Sequence, residues 1–189
     1  GSMNTERRLL TVFTPGKIYT GEVDLPNQTL RTTDLLNSAN VYWKDPANKS
    51  FGDALLMYNV LLSIDGIDKY QSFDSIQIRQ PNIIFFHDGY AELSSSGEKE
   101  RAVKLTEKAL EGKKTINLIT KARVNSFFEI KGTFHGLFKS KSNQKYIPIN
   151  DVILHEIIRR HDKWVKRRVG LANNFIGVNS SYIEACSLF

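Results

Sequence analysis

"IYTGEVDL" (residues 18–25) reads as a β-strand with a glycine, Gly21, at its centre. Glycine inside a strand marks a bulge or a sharp bend, because only a residue without Cβ lets a second backbone come close. Tightly curved small β-sheets need such bends. Upstream, "LLTVFT" (9–14) reads as a strand and "PGK" (15–17) as a turn; downstream, "PNQ" (26–28) turns again. "ALLMYNVLLSI" (54–64) fits strand or helix on periodicity, and "DSIQIRQPNIIFFHD" (74–88) reads as two short strands around Gln80-Pro81-Asn82.

The same plan recurs later in the chain. "EIKGTF" (129–134) repeats the apolar–x–Gly–x–apolar strand of "IYTGEV". "YNVLLSI" (58–64) and "NDVILHEI" (150–157) share an Asn followed by Val-aliphatic-Leu, and "SIQIRQPNIIFF" (75–86) parallels "FIGVNSSYIEAC" (175–186) as two strands about a polar turn. Further strands are expected at "TINLIT" (115–120), "SFFEIKGTFHGLF" (126–138) and "KYIPINDVILHEI" (145–157). This is internal duplication at the spacing of one small domain.

Between the halves, "SSGEKERAVKLTEKALEGKK" (95–114) has the marks of a helix. Ser95 and Glu98 have capping-box spacing, Glu100 and Lys104 stand at i,i+4, and Gly112 is placed to end it. Its apolar face (Ala102, Val103, Ala109, Leu110) is thin, which suits a solvated connector. The expected architecture is mainly β with one connecting helix: two tandem Sm-like or SH3-like small β-barrels, at 6–92 and 114–189, joined by a helix at 93–113.

A resemblance supports that expectation. Arg31-Thr32-Thr33-Asp34-Leu35-Leu36-Asn37, "YIPINDVIL" (146–154) and "FIGVNSSYI" (175–183) resemble an uncharacterised bacterial Sm-like family with an Arg-Leu-Ser-Asp-x-Leu-Asn motif. The second half lacks the Arg-x-x-Asp-x-Leu-Asn segment. The resemblance implies bent small barrels that assemble edge to edge, hence self-association; it implies no chemistry. Read as structure, Asp34 and Asn37 cap backbone groups at a turn while Leu35 and Leu36 are buried.

Bulk properties narrow the function. The chain has 189 residues, 41% hydrophobic and 11% aromatic, which suits a folded protein. Gly1-Ser2-Met3 reads as an expression scar before a native start. The single cysteine, Cys186, forms no internal disulfide framework or multi-cysteine metal site. No apolar run reaches the ~20 residues of a membrane-spanning helix, so a cytoplasmic protein without a membrane partner is expected. His87, His135, His155 and His161 show no ligand spacing. No P-loop, G-x-G-x-x-G or G-x-S-x-G occurs. We expect no catalytic residues, metal or cofactor.

Charge is the remaining signal. The net charge is +6, unevenly spread: residues 113–189 hold 14 Lys/Arg against 5 Asp/Glu, and residues 1–112 hold 12 against 15. The densest run is "RRHDKWVKRR" (159–168). Arg159, Arg160, Lys163, Lys166, Arg167 and Arg168 surround Trp164, with Asp162 as the one opposing charge. Guanidinium and ammonium groups suit phosphate, and an indole can stack on a base. Charged inter-strand segments are also common where a loop is simply wet. Lys139 and Lys141, on "KSKSNQK" (139–145), would extend the patch if the two loops share a face. The expected role is a binding or scaffold protein whose basic C-terminal surface meets nucleic acid or an acidic protein partner. The alternative is a self-assembly module, the acidic half of one copy meeting the basic half of another.

Overall fold

A computed structural model describes residues 6–25, 32–37, 54–64, 67–88, 113–121, 125–135 and 145–188. The chain divides into two compact units, residues 1–89 and 90–189. Both are built mainly of antiparallel strands. The expected connecting helix falls on residues outside those described, except that Lys113 opens a strand.

In the first unit, β1 (Glu6–Thr14) and β2 (Lys17–Leu25) form a hairpin, turning where Gly16 has φ 73°. β2 pairs with β3 (Ala54–Ile64), and β3 with β4 (Ile67–Arg79). The ambiguous run at 54–64 is therefore strand, and β4 is longer than the short strand expected before Gln80. A 3-10 turn at Gln80–Asn82 leads into β5 (Phe85–Asp88), which returns antiparallel to β1.

Gly21 explains the curvature. A Cβ there would lie 2.7 Å from Val60 Cγ2 and 2.8 Å from the Tyr58 carbonyl oxygen. The β2–β3 register slips at this point, between Thr20 and Glu22, and Asn59 opposite takes φ 50°. The bend lets one face of the sheet wrap Leu10, Val12, Val23, Leu55, Met57, Val60 and Phe86, all buried. Beside this core, Thr32–Asn37 forms a short helix, α1. Leu36 is buried there, as expected; Thr32 accepts from Arg8 (3.0 Å) and donates to Asp88, tying α1 to β1 and β5. The "RTTDLLN" motif thus includes a helix rather than only a turn.

The second unit repeats the register of these ladders, except that the counterpart of β4 is in two pieces and only the piece next to the 3-10 turn keeps the β3–β4 register. Its strands are β6 (Lys113–Thr120), β7 (Ser126–His135), β8 (Tyr146–Arg160), β9 (Lys163–Arg168), β10 (Ile176–Asn179) and β11 (Ile183–Leu188), with a 3-10 turn at Ser180–Tyr182. Leu10 pairs with Gly21 in the first unit, and Ile116 with Gly132 in the second. Ala54 pairs with Arg79, and Tyr146 with Asn179; Leu10 pairs with Asp88, and Ile116 with Leu188. The register slip recurs between Lys131 and Thr133, opposite Asp151 at φ 50°. The two 3-10 turns share their geometry, each ended by an isoleucine (Ile83, Ile183) whose N–H donates back to the turn's first carbonyl.

Among the described residues no ladder joins the strand before each 3-10 turn to the strand after it. The last strand of each unit returns to the first, but hydrogen bonds do not close the sheet into a barrel. Mainly β architecture is what the structure shows of the fold expected from the sequence. No helix among the described residues is long and apolar enough to cross a membrane.

Candidate nucleic-acid interface

The units differ most where β3 and β8 end. β3 stops at Ile64, whose register counterpart is Glu156, whereas β8 runs on to Arg160. The chain then reverses at His161 and Asp162, with φ of 49° and 63°, the signature of a two-residue type I′ hairpin turn. β9 returns alongside β8, pairing Arg160 with Lys163, Arg159 with Trp164, Ile157 with Lys166 and His155 with Arg168. The basic run is therefore not an irregular loop. It is the end of one strand, a tight turn and a second strand. Residues 169–175 then lead back into β10, and Val169 and Val152 hold that segment by backbone bonds to Leu154 (2.9 Å) and Asn174 (3.0 Å).

Strand alternation sorts the charges. Directly opposed residues share a face, so Arg159, Trp164, Lys166 and Arg168 lie on one side, and Arg160, Lys163 and Arg167 on the other. β7 lies along the other edge of β8, setting Phe127 opposite Ile157, Glu129 opposite His155 and Lys131 opposite Ile153. These share the face of Trp164. The reverse face carries Phe128, Ile130, Leu154 and Ile158, all buried core. The Trp164 face is thus the outer face of the sheet, and it combines Arg159, Lys166, Arg168 and Lys131 with aromatic and aliphatic side chains. Trp164 is 54% exposed, its ring tilted against Phe127 at 5.7 Å between centroids. Val165, on the reverse face beyond the core, is exposed as well.

Carboxylates temper the positive field. Lys166 Nζ donates to Glu129 at 3.3 Å, with Lys131 at 3.6 Å from the same oxygen. Arg167 donates to Glu156 at 3.1 Å and Arg159 to Asp162 at 3.5 Å. Lys163 and Arg168 have no carboxylate partner among the described residues. Burial pushes the Glu129 carboxyl up, but Lys166 and Lys131 together more than offset it and hold it below its ordinary value. His155, between Glu129 and Arg168, is shifted down: burial comes first, then the charge of Lys166, with Glu129 opposing and Arg168 and Lys131 adding. Its Nδ1 is shielded and makes no hydrogen bond within the protein.

The structure assembles Arg159, Trp164, Lys166 and Arg168 on one face and sets Arg160, Lys163 and Arg167 behind them. Lys139 and Lys141 lie outside the described residues. Phe127, Lys131 and His155 join the face without standing out in the sequence; the alternation Phe127–Glu129–Lys131 within "FFEIK" is their one signal. Among the other histidines, His87 is buried in β5 and His161 forms the hairpin turn. On the first unit Arg7 is absorbed locally, pairing with Asp24 (3.2 Å) and Glu22 (3.9 Å) and lying 4.0 Å over the Tyr58 ring. Among the described residues no group of three or more His, Cys, Asp or Glu could hold a metal. No known protein family, curated protein or solved structure matches the chain.

Proposed function

We propose that this protein is a non-enzymatic binding protein that engages the phosphate backbone of nucleic acid through the β8–β9 hairpin, on two Sm-like or SH3-like small-barrel units. The observation that carries the reading is a contrast. Two units with the same ladders differ by a strand extension, and that extension is basic and wholly exposed on β9. Core packing does not call for it. The outer-face ion pairs do not oppose the reading either. Exposed pairs contribute about 0–1 kcal/mol, so Lys166 and Arg159 exchange a carboxylate for a phosphate at little cost. The bent strands, the matched 3-10 turns and the return of β5 and β11 to the first strand of each unit favour the small-barrel description.

The test uses purified full-length protein at low salt, titrated into a fluorescently labelled oligonucleotide. Binding should weaken with salt. Arg159→Glu and Arg168→Glu, each abolishing one phosphate interaction, should each lower the log–log slope by ~0.7–0.9. The corresponding change at Lys69, on exposed β4 of the first unit, should leave binding unaltered. No binding by the unaltered protein would sink the proposal. If the particle mass instead fell with salt in light scattering, the self-assembly alternative would take its place.

A further inference from the structure

We infer that the outer face of the second unit selects single-stranded over double-stranded nucleic acid, with Trp164 as a stacking platform for an unpaired base. The inference rests on the phosphate-binding reading above and adds the form of the ligand.

Three features of the face carry it. Trp164 is half exposed and held from one side by Phe127, which fixes its ring without covering it. A base can stack on such a surface only if it has left its own stack, a condition met in a single strand and costly in a duplex. Second, the cations follow one line: Trp164, Lys166 and Arg168 are alternate residues of β9, ~6.6 Å apart at the usual strand rise, with Arg159 across from the indole. A flexible single strand can adjust its phosphates to that line, whereas a duplex presents them on a rigid helical path. Third, the hairpin is not a free arm. β7 pairs with β8 as far as Ser126–Ile158, and Asn125 accepts from the Arg159 amide at 2.8 Å, so three strands run together almost to the tip. A two-stranded ribbon fits the ~12 Å major groove. Three strands spaced ~4.8 Å apart, with side chains on both faces, do not. The sheet therefore meets nucleic acid with its face.

The experiment compares a labelled oligothymidylate, which forms no hairpins, with a duplex of equal length at the same salt. The unaltered protein, Trp164→Ala and Trp164→Phe are each measured, with far-UV circular dichroism confirming the fold. The single strand should bind at least ~10-fold more tightly than the duplex. Trp164→Ala should weaken single-strand binding by ~5- to 150-fold, the range for removing one base–aromatic stack. Trp164→Phe should restore most of the affinity, and neither variant should change the salt slope, since the phosphate interactions stay intact. Equal affinity for duplex and single strand, or a Trp164→Ala variant that binds as tightly as the parent, overturns the inference and leaves the phosphate-binding reading standing. Failure to bind either nucleic acid overturns both.

Discussion

The first and second units keep the same strand pairings, the same register slip and the same 3-10 turn, yet they part company at one hairpin. In the first unit the return strand β4 runs unbroken from Ile67 to Arg79. In the second, the corresponding path is split into β9 and β10 by residues 169–175, and β8 and β9 extend outward beyond the core. What both units keep is what closing the core requires; what one adds must be explained by something else. The sharpest way to break this contrast is to remove the addition. Replacing Arg159–Trp164 by Asn-Gly would join Ile158 to Val165, an existing cross-strand pair, through a favoured two-residue turn. We expect the largest effect on binding, a drop of at least ~100-fold in nucleic-acid affinity from two or more charge-assisted hydrogen bonds of ~1.5–3 kcal/mol each. Unfolding stability should change by less than ~1 kcal/mol, because the excised residues are exposed. A large loss of stability in urea would show the extension to be structural after all.

The shared glycines come next. Gly132 is the tighter position: a Cβ would lie 2.4 Å from Ile149 Cγ2 and 2.6 Å from the Asn150 carbonyl oxygen. Relief requires moving backbone, not only a side chain. Gly132→Ala should cost ~1–3 kcal/mol in denaturant unfolding, and Gly21→Ala, with slightly longer distances, somewhat less. If either substitution costs under ~0.5 kcal/mol, the close approach does not set the bend.

Much of this bend is legible in the sequence, since a glycine inside a strand pattern has few other uses. The duplication is legible for the same reason: Gly21 and Gly132, and the polar turns before Ile83 and Ile183, sit at positions where backbone geometry restricts the residue. Other features depend on partners distant in sequence. The helix at Thr32–Asn37 is held by Arg8 and Asp88, and no local pattern announces either. The candidate site is half legible. Its charges stand out as a run, but a run cannot say which charges share a face until the turn is located. His161 and Asp162 both take positive φ, a role more often filled by Asn and Gly. That turn sets the parity that places Arg159 beside Trp164 and Arg160 behind it.

A smaller effect should follow at the paired left-handed residues. Asn59 and Asp151 occupy the same place opposite each bend, both at φ 50°. Short polar side chains tolerate this conformation and β-branched ones do not. Asn59→Val and Asp151→Val should each cost ~1–2 kcal/mol, whereas the glycine variants should be nearly neutral. A valine variant as stable as the parent at either site would mean the two bends differ in kind.

The smallest expected difference is in pH response. His155 has Ser63 as its register counterpart in the first unit, so this titration belongs to the second unit alone. Burial and the neighbouring cations put the folded pKa of His155 below its usual 6.5, so the unfolded chain takes up the proton first. The stability associated with the neutral imidazole is complete above about 6.5. It falls as pH drops from there to the folded value and then levels off. Glu129 works in a lower window: its carboxyl lies below the usual 4.5, so its contribution persists above that value and is lost only as pH falls through the folded one. The two windows can therefore be separated by unfolding at stepped pH. His155→Gln should flatten the upper fall and leave the lower one, while Glu129→Gln should flatten the lower fall and deepen the upper one, because it removes the charge that opposes the downward shift of His155. Bound oligonucleotide should also reduce the upper fall, because phosphates beside Lys166 and Arg168 offset the charges that disfavour a protonated His155. An upper fall insensitive to both His155→Gln and oligonucleotide would detach this histidine from the face on which Trp164 lies.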